Sequence, residues 1–290
     1  MAILPSFNRI LLVTDFSSSS ETAVPFARLL AEHYGATVFV VHVIPESAPK
    51  TVVPSPAAAG EGDEARGAAE AQMRKFLAEN ALGEVPVETI IGQGHVADVL
   101  ATVIQEKKND LVVIGTHGRS GVGKLVLGSV AQRIFNIASC PVLSVSARAR
   151  KAWHAAEKFA RILYATDFSA DSLQALPYAL SLAKVGDAEL LVLHASAEPL
   201  RPEVLREYDK RLNALVPPEA KIWCKSDTIV LVGDPVHSIL KAAAEHNADF
   251  IVIGAHPAAG TLHVPLTTPY QIVAHAHCPV LRVRAPDAEM

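Results

Sequence analysis

The 290-residue sequence predicts an α/β protein built of two tandem doubly wound domains, each with a five-stranded parallel sheet. Three observations predict it. The chain repeats itself, short β-branched apolar runs alternate with stretches of helical spacing, and half of all residues are apolar while only 19% are charged. Repetition is the firmest of the three, because self-similarity at a fixed offset does not arise from composition. RILLVTDFS at Arg9–Ser17 returns as RILYATDFS at Arg161–Ser169, and His42 returns as His194. DLVVIG at Asp110–Gly115 returns as DFIVIG at Asp249–Gly254, and CPVLSV at Cys140–Val145 as CPVLRV at Cys278–Val283. The expected domains are residues 1–147 and 161–290, joined by a polar, basic connector at 148–160.

Within the first copy, Arg9–Thr14, Thr37–Val43, Val85–Ile91, Asp110–Gly115 and Val142–Val145 are short and apolar, as strands buried on both faces are. Helical spacing spans Ser18–His33, Glu64–Ala81, Val96–Lys108 and Ser129–Ala138, with Ser17 or Ser18 and Ser129 as candidate N-caps. The Pro/Ala/Gly-rich stretch from Pro45 to Gly67 reads as a solvated loop or lid that the second copy nearly lacks. Strand and helix alternation of this kind requires right-handed crossovers and a parallel sheet covered on both faces.

Charge and composition exclude several function classes. A net charge of −4 is too balanced for a nucleic-acid binder. The three cysteines, Cys140, Cys224 and Cys278, form no disulfide framework and fit a reducing compartment. Met1 to Asp15 has no signal-peptide pattern. Phe250 to Leu281 lacks every Asp, Glu, Lys and Arg, yet Pro257, Pro265, Pro269 and Pro279 would break a spanning helix. A cytoplasmic protein is expected, with neither nucleic acid nor membrane as partner.

Open parallel sheets bind ligands beyond the carboxyl ends of their strands, where strand order reverses. The loops after the first and fourth strands are therefore the candidates: Thr14-Asp15-Phe16-Ser17, and the glycine-rich run from Gly115 to Lys124 that leads to Gly128-Ser129 at a helix start. Glycines admit close approach of a ligand to the backbone, and a helix N-terminus offers unpaired N–H groups to an anion. The dinucleotide fingerprint is absent, because the first turn is acidic and serine-rich. Gly118 to Lys124 nearly spells a P-loop, but Leu125 follows where Ser or Thr would hold magnesium.

The pattern Gly115-x2-Gly118-x9-Gly128-Ser129, preceded by VVIG and followed by VAQRIFNIASCPVLSV, resembles the universal stress protein family in its ATP-binding branch. The resemblance covers nearly the whole chain, twice. It implies an adenine nucleotide alpha hydrolase-like fold, a role in stress tolerance, and ATP with Mg2+ bound as a sensor or switch. Carried over by position, it places adenine and ribose between Thr14, Asp15 and Phe16 on one side and Val43 on the other. It places phosphates on Gly115, Thr116, Gly118, Arg119, Gly128, Ser129 and Val130, and the Mg2+ of the nucleotide near Asp15. It also implies that two domains pair through their final strands, here Val142–Val145 and Val280–Val283. A homodimer of the tandem chain and an unidentified regulatory protein partner are further expectations.

Structural readings stand beside these. Asp15, repeated as Asp167, could cap the first helix; Gly115, repeated as Gly254, could serve strand exit alone; Arg119 and Lys124 could be solvated charges. His42 and His194 read as hydrogen-bonded core histidines. The second copy departs from the glycine pattern, with Pro257 for Gly118 and Leu266-Thr267 for Gly128-Ser129. The first half is therefore expected to bind ATP, and the second poorly or not at all. His256, His263, His275 and His277 with Cys278 are zinc-type donors, but their spacing matches no zinc pattern and Cys140 lacks the histidines. His117 has no nearby carboxylate partner, so no residue is assigned a catalytic role. The leading reading is an ATP-binding regulatory protein of the stress response. A slow ATPase or nucleotide-transferring enzyme using the same pocket, and a nucleotide-free interaction scaffold, are its alternatives.

Overall fold

The β-branched runs form strands, and two sets of five make one sheet. The computed structural model describes residues 4–45, 58–116, 128–152, 159–255 and 267–284. The first copy supplies β1 (Arg9–Val13), β2 (Thr37–Pro45), β3 (Val87–Gly94), β4 (Leu111–Gly115) and β5 (Val142–Val145). The second supplies β6 (Arg161–Ala165), β7 (Glu189–Ser196), β8 (Ser226–Val232), β9 (Phe250–Gly254) and β10 (Val280–Val283). Their order is β3-β2-β1-β4-β5-β10-β9-β6-β7-β8. Every neighbouring pair is parallel except β5 and β10, which run antiparallel with Leu143 opposite Leu281. Each half is thus doubly wound, and the two final strands join the halves edge to edge, leaving neither as an open template.

Alternation along the strands sorts the core into two layers. Ile10 and Leu12 face one cluster with helices α2 (Val24–Tyr34), α3 (Ala58–Glu79), α7 (Ala170–Gly186) and α8 (Pro202–Leu215). Leu11 and Val13 face the other, with α4 (Val96–Glu106), α5 (Ser129–Ile137), α9 (Pro235–Glu245) and α10 (Thr268–His275). Both layers run across the seam between copies. Phe26 of α2 meets Phe250 of β9 edge-on at 6.1 Å between ring centroids, and the Tyr34 hydroxyl bonds the Ser181 hydroxyl of α7 at 2.9 Å. Among the described residues, no helix is long and apolar enough to cross a membrane.

Three sequence expectations need correction, and the segment expected as connector has structure of its own. The helix expected over Ser18–His33 is two, α1 (Ser18–Glu21) and α2, and the break has a local cause. Pro25 lacks the N–H that would bond the Glu21 carbonyl, and the Thr22 hydroxyl donates to Ser19 O at 2.6 Å, drawing the backbone out of register. The second copy carries the same proline, Pro177, but Gln174 stands where Thr22 does, and α7 continues through it. The strand expected at Val85 begins at Val87, after Pro86, whose carbonyl accepts from Val38 N while its nitrogen has no proton to give. Residues 58–63, expected as loop ahead of the helix at Glu64, already belong to α3, where alanines and an Arg66–Glu70 ion pair at 3.3 Å favour helix; residues 46–57 lie outside the described residues. The connector expected at 148–160 begins as a helix, α6 (Ala147–Ala152).

Candidate functional site

In each copy the first strand lies between the second and the fourth, so the loops leaving β1 and β4 diverge to opposite sides of the sheet. The turn after β1 is a dense local network. The Thr14 hydroxyl accepts from Phe16 N at 3.0 Å and shares a 3.0 Å bond with the Ser20 hydroxyl, which in turn donates to Ser17 O at 2.8 Å. Asp15 Oδ1 accepts from both the amide and the hydroxyl of Ser17, at 3.0 and 2.5 Å. Ser17, not Asp15, is the N-cap of α1, its side chain accepting from Ser20 N. Asp15 is thus one step removed, a carboxylate held at the strand end by the residue that caps the helix.

The second copy repeats this turn bond for bond. Thr166 binds Phe168 N at 3.0 Å and the Ser172 hydroxyl at 2.8 Å, and Asp167 accepts from Ser169 N and Oγ at 2.9 and 2.6 Å. Burial raises the Asp167 carboxyl, but the Ser169 hydroxyl and amide and the Ser172 hydroxyl outweigh it and hold the group below its ordinary value. Phe16 and Phe168 both sit at left-handed φ, 59° and 63°, which costs a side-chain-bearing residue about 1 kcal/mol or more. His42 and His194 donate from Nδ1 to the carbonyls of Thr14 and Thr166, each at 2.9 Å, as core histidines do.

The Phe16 ring and the Val43 side chain belong to opposite faces of the sheet. The Phe16 ring lies on His42, 4.2 Å between centroids, and against Phe76 of α3 on one face of the sheet. Val43 belongs to the layer on the opposite face. Gly115 also has a purpose of its own: a methyl group there would collide with the Ser19 carbonyl, as one at Gly254 would with that of Asp171. Both glycines are required by the helix that crosses the strand end.

Thr116 closes the base of the second loop, its amide donating to Val145 O at 2.9 Å and its carbonyl accepting from Gly128 N at 2.7 Å. Gly128, not Ser129, is the N-cap of α5, and Ser129 is the first helical residue. Gly128 has no side chain to cap the first-turn amides at Ser129 and Val130, and a helix N-terminus of this kind suits an anion or water. Gly118, Arg119, His117 and Lys124 lie outside the described residues, as do Pro257, His256, His263 and Leu266 of the second copy.

The second copy shows which of these positions converge. A cavity of about 760 Å³ opens there, lined by Thr166, Asp167, Ala195, Gly254, Ala255, Thr267 and Thr268. By the internal repeat these are the counterparts of Thr14, Asp15, Val43, Gly115, Thr116, Ser129 and Val130. Phe168, counterpart of Phe16, does not line it. The cavity also reaches residues that sequence reading did not single out: Ile239 of α9, Gln132 and Phe135 of α5 in the first copy, and Arg282 of β10. One signal could have found the last, since Arg282 stands where the first copy has Ser144 in an otherwise matching CPVL-x-V.

No group of three or more metal-binding side chains occurs among the described residues. His275 is tied by Nδ1 to Gln271 O at 2.9 Å, as at an ordinary helix end. Cys140 and Cys278 are buried, and burial pushes the Cys140 thiol up to about 12 and the Cys278 thiol higher still, so neither is a reactive thiolate.

Comparison with known proteins agrees with the duplicated fold. The universal stress protein of Archaeoglobus fulgidus DSM 4304 has a crystal structure similar over 96% of this chain and 98% of its own, with a TM-score of 0.76 at 21% identity. A universal stress protein of Mycolicibacterium smegmatis is 28% identical over 295 residues, 95% of this chain and 96% of its own length. One from Thermus aquaticus is 36% identical over 143 residues, 48% of this chain and 98% of its own. The profile of the Universal stress protein family matches twice, at residues 6–146 and 158–284. The chain belongs to the universal stress protein family, with two family repeats in tandem.

Proposed function

We propose that the first repeat, residues 1–147, binds ATP and that the bound nucleotide sets the conformation or partner choice of a regulatory protein. The observation that carries this reading is the convergence in the second copy. Seven matched positions surround one cavity at the strand ends of the second copy, which supports a site at the corresponding seven positions of the first. The first-turn amides of α5, which follow a glycine N-cap, suit phosphate oxygens, and the glycine loop between Thr116 and Gly128 would wrap them. Asp15 is placed to accept from ribose hydroxyls or to support the Mg2+ of the nucleotide. That ion would supply charge neutralisation of the phosphates and nothing more is asked of it. Phe16 contributes through its backbone only, since its ring is committed to the core.

The second repeat is proposed as the poorer nucleotide site. Pro269, at the second helical position of α10, removes one of the amides that a polyphosphate would use. The ultraviolet spectrum and mass of material released on denaturing the purified protein test the reading, with an adenine nucleotide expected. If nothing is released and added ATP also fails to bind, the protein is a nucleotide-free scaffold. A steady-state phosphate-release assay with Asp15→Ala as control separates a regulator from a slow ATPase, the regulator showing turnover no faster than buffer.

A further inference from the structure

Arg282 is a charged side chain where the fold calls for an apolar one. It sits on β10 opposite Val142, two residues from Val280, on the face that packs α5 and α10. Only 2% of it is exposed. Its guanidinium lies over the Phe135 ring at 4.7 Å, and Nη2 donates to Ala138 O at a long 3.4 Å. Nε has no hydrogen-bond partner among the described residues. Burial lowers its pKa to about 10, with Arg284 adding to the effect and Cys140 opposing it; no carboxylate is among the groups acting on it. At neutral pH it is therefore a buried, charged fork of donors, largely unanswered among the described residues. Such a group is costly unless an anion meets it, and a guanidinium accepts a carboxylate or phosphate through two parallel bonds.

Arg282 also lines the second-repeat cavity, on a strand separated by β9 from β6, whose following turn carries Asp167. The walls between are chiefly apolar, with Leu193, Ile239, Tyr270 and Ile272 among them, and the volume suits a ligand of ordinary small-molecule size. We propose that this cavity binds a small, largely apolar anion, a carboxylate or a phosphate monoester, whose charged group docks on Arg282. A polyphosphate is disfavoured by Arg282 being the single Lys or Arg among the described lining residues, by Asp167 and Asp171 in the same lining, and by the amide lost at Pro269. The site is particular to the second copy, because Ser144 replaces the guanidinium in the first. It does not depend on whether the first repeat holds a nucleotide.

Calorimetry on the intact chain with 2-naphthoate, 2-naphthyl phosphate and the neutral 2-naphthylmethanol tests this. At least one of the two acids should bind about tenfold or more tighter than the alcohol, as a desolvated charge-assisted pair allows. Whichever acid binds tighter identifies the source of the anion. In Arg282→Met, which keeps the apolar volume, the preference should vanish while the alcohol binds as before. Arg282→Ser, which restores the residue of the first copy, gives the same readout should the methionine variant not fold. The proposal is overturned if the alcohol binds wild type as tightly as both acids, or if the acid preference survives loss of the guanidinium.

Discussion

Single residues carry two separable duties at these strand ends. Gly115 looks like a ligand glycine in the sequence, yet the nearby Ser19 carbonyl already demands it. Gly115→Ala should destabilise the fold by roughly 1–3 kcal/mol by overpacking, measured by urea unfolding without nucleotide. Gly67 of α3 meets nothing within 4 Å, and Gly67→Ala should instead stabilise by up to about 1 kcal/mol. A loss at Gly67 or no loss at Gly115 would contradict this packing account. Asp167 gives a pH signature. Its carboxyl is lowered from an ordinary value of 3.8, so its contribution is present above that value and is lost as pH falls through the lower folded value. Asp167→Asn should therefore lack part of the acid limb of the stability curve below about pH 4, read from urea midpoints. A variant curve parallel to wild type would refute the assignment. The Asp and glycine positions were legible in the sequence because they recur; Arg282 was not, because its meaning depends on a seam that forms only when β10 meets β5.

At the scale of elements, strands were read more securely than helices. β5 begins and ends where its apolar run does, since a strand buried on both faces has nothing but its hydrophobic run to define it. The α1 and α2 break was missed because helical periodicity is blind to a threonine hydroxyl that competes for a backbone carbonyl just before a proline. The start of α3 was missed because alanine and glycine were read as loop, when alanine is the strongest helix former. Capping is the clearest element-level test. Ser17→Ala and Ser169→Ala should each cost about 1 kcal/mol, because each hydroxyl caps a helix and also bonds the Asp beside it. Equal unfolding midpoints for wild type and both variants would show that these helix ends do not depend on their serines.

The whole molecule is one sheet made by two copies, and its seam is the antiparallel pair of β5 and β10. Separating the copies would leave β5 as a buried-type edge, VLSV, with no partner. Residues 1–147 expressed alone should therefore pair β5 with its own copy and sediment as a dimer, whereas a stable monomer would mean the seam is dispensable. Duplication also explains how the candidate site could be read across copies, the cavity of one outlining the positions of the other. It leaves the two copies with different equipment: a glycine N-cap at α5 in the first, a buried guanidinium in the second. The most direct test is calorimetric titration of Mg2+–ATP into the intact chain, with Asp15→Ala and Asp167→Ala variants beside it. The account predicts one high-affinity nucleotide per chain, lost in the Asp15 variant and kept in the Asp167 variant. Loss in the Asp167 variant alone, or no binding to any of the three, would contradict it.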